Sequence, residues 1–105
     1  MPGATHSVIW TEPAVADLRG IYLWTADRAN RDVALRLLQR IEEAAEKLTD
    51  YPRRGRPRDE IRPGLRSIPF ERAAIIFYEA GENRVQIVRV IDGRRDLAAA
   101  IEEKA

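Results

Sequence analysis

A chain of 105 residues, 45% apolar and 33% charged, is long enough for one domain with its own core and too apolar for disorder. It has no cysteine, which excludes disulfides and thiolate chemistry, and no apolar run near the roughly 20 residues of a membrane span. A net charge of +1 excludes a protein that coats nucleic acid over its whole surface.

Met1 to Thr5 carry no pattern, and no signal-peptide apolar region follows, so a cytoplasmic location is expected. His6 to Trp10 predict a short strand, with His6 facing solvent and Trp10 in the core. Thr11 then reads as a helix N-cap, with Pro13 in the first turn and Glu12 and Asp17 near the positive helix end. Ala14, Leu18, Ile21 and Thr25 form a helical stripe through about Asp27. Tyr22 and Trp24 lie at its margin; both pack on the core, or one is exposed and suits a partner helix. Asn30 caps a second helix whose stripe is Val33, Ala34, Leu37, Leu38, Ile41, Ala45 and Leu48. The short connection between them predicts an antiparallel helical hairpin.

Tyr51-Pro52 ends the second helix, and Arg53 to Gly64 read as a loop of about a dozen residues, long for a compact domain. Leu65 to Phe70 starts a sheet, where Pro69 marks an edge or a bulge. Ala73–Glu79 and Val85–Ile91 form a hairpin around the loop Ala80–Arg84, expected to run to about five residues. In the second run Val85, Ile87 and Ile91 alternate onto one face and Val88 and Val90 onto the other, as in a central strand. Leu97 to Ala105 read as a short helix or tail. The expected fold is therefore α+β in a single domain, 1–105. An N-terminal strand is followed by a helical hairpin packed on one face of a small antiparallel sheet of three or four strands, leaving the other face or an edge uncovered.

Sixteen of the 18 basic residues are arginine, and six of these lie between Arg53 and Arg66 against two acids, Asp59 and Glu60. Arginine presents a rigid fork suited to carboxylate and phosphate. Arg53, Arg54, Arg56, Arg58 and Arg62 are thus candidates to bind an acidic partner or nucleic acid. The alternative is a solvated connection whose arginines pair with acids such as Glu46 and Asp50. Arg66 is either a further binding residue or an inward arginine bonding loop carbonyls or Asp96. Arg94 and Arg95 are partner contacts or ion-pair partners of Asp96, an N-cap for the tail. No His, Asp or Glu cluster has metal-ligand spacing, since Glu42-Glu43 and Asp59-Glu60 are mere neighbours. Gly55 and Gly64 are too far apart for a phosphate-binding loop. No cofactor is expected.

Several of these residues recur in one known order. They are Trp10, then Ala14, Asp17, Leu18 and Ile21; Tyr51-Pro52 and Gly55-Arg56; Leu65-Arg66; Ile76 and Tyr78; and Val90, Gly93, Arg94, Arg95 and Asp96. The chain resembles the ParE branch of the RelE/ParE toxins of type II toxin–antitoxin modules over about residues 8 to 97. The resemblance implies a toxin that binds and poisons DNA gyrase, stabilises cleaved DNA, and has no catalytic residues of its own. It further implies neutralisation by a ParD-type antitoxin, whose C-terminal segment wraps the helical hairpin and sheet in a heterotetramer or larger complex. Operator DNA would be met only through the antitoxin. Arg56 and Arg66 carry the match within the basic loop and rank first.

The RelE branch resembles a ribosome-dependent mRNA endonuclease built on lysine, arginine and a late tyrosine or histidine. RNA cleavage through the 2′-hydroxyl needs a proton acceptor, a proton donor and positive charge. Arg66 and Arg89 could cradle phosphate, but arginine stays protonated. After Val90-Ile91 stands Asp92, no tyrosine or histidine follows, and the basic loop has no lysine. That nuclease, and an inactive module that only co-represses its operon with the antitoxin, are the alternative readings.

Overall fold

In the computed structural model the described residues are 7–72 and 74–93. His6, Ala73, Arg94, Arg95, Asp96 and the tail from Leu97 to Ala105 lie outside them, as do Met1 to Thr5. The elements run β1 (Ser7–Trp10), α1 (Glu12–Arg28), α2 (Arg31–Lys47), β2 (Arg56–Pro57), β3 (Leu65–Phe70), β4 (Ala74–Gly81) and β5 (Arg84–Asp92).

Both helices start at the expected caps. The Thr11 hydroxyl accepts from the Ala14 amide at 3.2 Å, and Asn30 Oδ1 accepts from the Val33 amide at 2.9 Å. Ile21 of α1 and Leu37, Ile41 and Ala45 of α2 pack with Leu48 against Ile76 and Tyr78 of β4 and Val85, Ile87 and Val90 of β5. Fully burying an aliphatic side chain of this kind contributes about 1.5–3 kcal/mol. Thr11 also ties the start of α1 to the sheet, since its amide donates to Ile87 O and its hydroxyl to Val88 O.

The sheet has five strands in the order β1-β5-β4-β3-β2, one more than the upper expectation. It is mixed: β1 pairs parallel with β5, and the remaining pairs are antiparallel. The extra strand, β2, lies inside the segment expected to be irregular and pairs only opposite Arg66 and Ser67. The Pro69 end of β3 is therefore an edge, where a missing N–H is tolerated. The β4–β5 connection is tighter than the expected five residues, because Gly81 pairs with Arg84 and only Glu82 and Asn83 remain between them. Asn83 supplies the left-handed backbone that this turn needs, at φ 56°.

A β-bulge corrects the expected faces of β5. Phe77 pairs with Arg89 but Tyr78 pairs with Ile87, which leaves Val88 as the extra residue. Strict alternation from Val85 and Ile87 would send Arg89 into the core. The bulge moves Arg89 and Ile91 to the second face and brings Val90 under the helices with Val85 and Ile87.

Candidate functional site

The basic segment is folded along the β3 edge of the sheet, and the side chains of buried Tyr78 and half-buried Arg66 hold its backbone. Tyr51 to Arg54 form a turn closed by the Arg54 amide on Tyr51 O at 3.0 Å, with Pro52 preset at the second position. The Gly55 amide donates to the Tyr78 hydroxyl at 2.8 Å. Gly55 is required by close approach, since a Cβ there would stand 2.5 Å from Tyr78 Oη and 2.9 Å from Ser67 O. Burial raises the Tyr78 hydroxyl pKa above its ordinary value, and this outweighs the opposite effects of the Gly55 hydrogen bond and the Arg66 and Arg54 charges.

Arg66 reaches back along the same segment, and its Nη1 donates to Arg53 O at 3.0 Å and to Gly55 O at 2.8 Å. Of the roles open to it from sequence, bonding loop carbonyls is the one its guanidinium takes. Arg58 Nε donates to Ser67 Oγ at 2.8 Å and its Nη1 meets Glu60 at 3.5 Å. Arg62 grips Glu79 at 2.6 Å. The acids these arginines find are Glu60 and Glu79, not the expected Glu46 and Asp50. Gly64, at φ 85°, closes the segment with its amide on Asp59 Oδ1.

The structure thus divides the candidate arginines. Arg58, Arg62 and Arg66 are engaged with the fold. Arg53, Arg54 and Arg56 are exposed, and their guanidiniums have no hydrogen-bond or ion-pair partner among the described residues. Tyr51 stands beside them, 72% exposed. Tyr22 and Trp24 lie elsewhere, half-buried on α1, with the Arg28 guanidinium 4.2 Å from the centre of the Trp24 ring. Arg94 and Arg95, the remaining candidates, are outside the described residues.

Two groups with a decisive part escaped the sequence reading. Asp17 is buried and accepts from Arg89 Nε at 2.7 Å, Arg89 Nη2 at 2.8 Å and the Val90 amide at 2.9 Å. Its carboxylate therefore locks α1 to the strand just past the bulge, rather than merely complementing the helix dipole. Tyr78 was read as a strand residue and as part of the family resemblance, with no role for its hydroxyl, although a buried tyrosine normally finds a partner for it. The second face of the sheet carries an apolar groove of about 280 Å³ lined by Ile61, Leu65, Phe77, Val88 and Ile91, with Arg62 and Arg89 at its border. No group of three or more potential metal ligands occurs among the described residues, and none of their helices is long and apolar enough to cross a membrane.

Against this geometry, the family described as ParE toxin of the type II toxin–antitoxin system parDE matches residues 8–97. The chain belongs to the ParE toxin family. Toxin ParE3 of Caulobacter vibrioides is 36% identical over 97 residues, spanning 92% of this chain and 96% of that one. Toxin ParE1 of Mycobacterium tuberculosis is 34% identical over 84 residues, spanning 80% and 86%. A solved structure described as the chromosomal ParDE TA system from P. aeruginosa superposes with a TM-score of 0.73 at 27% identity, covering 86% of this chain and 98% of that one. The strand, helical hairpin and mixed sheet are thus a ParE fold, and the anchored arginine segment is a feature of a ParE toxin.

Proposed function

We propose that this ParE toxin acts by binding DNA gyrase, stabilises the cleaved DNA complex, and is neutralised by a ParD-type antitoxin in a heterotetramer or larger complex. Family membership supports the reading, and one observation in the site favours binding over RNA cleavage. Arg66 and Arg89, the two arginines placed to cradle a scissile phosphate, are both engaged with the fold. Arg66 holds the carbonyls of Arg53 and Gly55, and Arg89 holds Asp17. The Tyr78 hydroxyl near Arg66 is buried and its pKa is raised, away from the range of a useful base near neutral pH. The exposed Arg53, Arg54 and Arg56 remain to meet a target, while the groove on the second sheet face suits an antitoxin segment.

The deciding experiment is a supercoiling and cleavage assay with antitoxin-free protein. The expected result is loss of supercoiling with accumulation of linear DNA, reversed by the co-encoded antitoxin. Unimpaired gyrase from a chain that still arrests growth, together with cleavage of translated mRNA, would replace this reading with the endonuclease one.

A further inference from the structure

The side chains of the segment from Asp50 to Arg56 make almost no contribution to holding it in place. Its backbone is fixed by groups from elsewhere, Tyr78 on the Gly55 amide and Arg66 on two carbonyls, while the side chains of Tyr51, Arg53, Arg54 and Arg56 are exposed and have no hydrogen-bond or ion-pair partner among the described residues. Fixing the backbone while leaving the side chains exposed lowers the ordering cost of binding there. The exposed groups are three forked cations and one flat ring, on one tight turn and the strand that follows it.

We propose that this turn contacts a single-stranded segment of DNA, with Arg53, Arg54 and Arg56 on its phosphates and Tyr51 stacked on an unpaired base. The inference rests on the gyrase-poisoning reading and adds to it a direct contact with nucleic acid. Arginine forks match phosphate oxygens, and an exposed aromatic ring among them is the combination that tracks single strands without reading sequence. Beside the turn lies a groove of about 870 Å³ lined by Tyr51, Pro52, Arg53, Arg54, Ala80 and Gly81, with the carboxylates of Asp50 and Glu82. It has room for a nucleobase. The two carboxylates accept hydrogen bonds from base N–H groups, while Arg53 and Arg54 on the groove wall and Arg56 beside it are left to the phosphates of the strand. A duplex would offer the same phosphates but no free ring face, and an acidic peptide would leave Tyr51 idle.

The test uses the purified full chain without gyrase and fluorescence anisotropy of a short labelled oligothymidylate. A matched duplex, an oligouridylate and a polyglutamate peptide serve as comparisons. Replacing all three arginines by alanine is expected to weaken oligothymidylate binding at least about tenfold and to reduce the salt slope by about 2. Tyr51→Ala is expected to weaken it at least about fivefold with the slope unchanged, and Tyr51→Phe to restore it. None of the four side chains bonds to another group among the described residues, so thermal melting of these variants should match the parent. Absence of oligothymidylate binding at low salt, indifference to the arginine replacements, or equal binding of duplex with a neutral Tyr51→Ala would each overturn the proposal. So would tighter binding of the peptide or of oligouridylate. Gyrase inhibition by a chain that fails to bind the oligonucleotide would sink this contact and leave the poisoning reading standing. Binding without inhibition would do the reverse.

Discussion

Tyr78 shows how one hydroxyl can organise a surface. It accepts the Gly55 amide in a buried setting, and burial holds its proton more tightly than in the unfolded chain. A pKa raised on folding adds stability that is complete below the unfolded value, about 10 for tyrosine, and is lost as pH rises through the folded value. The unfolding free energy of the parent should therefore fall above about pH 10, and the fall should be smaller in Tyr78→Phe, as read by urea unfolding across that range. At neutral pH the same variant should lose about 1–3 kcal/mol, because the Gly55 N–H is left buried and unpaired. Thr25 presents the opposite case. Its Oγ1 is buried without a hydrogen-bond partner among the described residues. Thr25→Val keeps the shape and removes the unsatisfied group, so stability should rise by about 1 kcal/mol in the same measurement.

The bulge at Val88 and the Asp17 carboxylate form a single device at the level of elements. Without the extra residue, Arg89 would enter the core; with it, Arg89 lies on the second face and grips Asp17, which also takes the Val90 amide. Asp17→Ala strands that amide and an arginine, and should cost about 2–3 kcal/mol. The figure is low for a buried pair because Arg89 is half-exposed and can turn to water. Asp17→Asn should lose roughly half as much, since its oxygen still accepts from Val90. Equilibrium unfolding of both variants checks this, and equal losses would mean that the charge is irrelevant. The helices were legible in the sequence because their caps and 3.6-residue stripes are local signals, as Thr11 and Asn30 illustrate. The bulge was not, since no residue type in Val85–Ile91 announces it; the one available hint was a charge, Arg89, in register with the core. Strand β2 was hidden for a related reason. Two residues, one of them Pro57, pair only because Ser67 and Arg66 are brought alongside by the rest of the fold. The arginine cluster was visible as composition, but its division into anchors and free cations depends on where Ser67, Glu79 and two loop carbonyls lie.

Taken whole, the molecule has two unlike sheet faces. One is filled by the helical hairpin, and the other carries Leu65, Phe77, Val88 and Ile91 in a shallow apolar groove. If an antitoxin segment lies there, Ile91→Glu should raise the amount of antitoxin needed to restore supercoiling at least about tenfold, with inhibition by the toxin alone unchanged. Titration of antitoxin into the gyrase assay reads this directly, and an unchanged titration would place the antitoxin elsewhere. The parallel pairing of β1 with β5 has a consequence of another kind. The first strand to leave the ribosome finds its neighbour only when Arg84 to Ile87 have been made, and the central strands β4 and β5 follow both helices in synthesis. A nascent chain halted before Arg84 has the residues of its helical hairpin but neither the strand that joins β1 to the sheet nor the Val85, Ile87 and Val90 part of the core. The pairing that completes the fold spans most of the chain, a topology that folds slowly. Translation alone therefore cannot complete this fold piece by piece, and under the proposed neutralisation an antitoxin already present would meet a chain that is still folding.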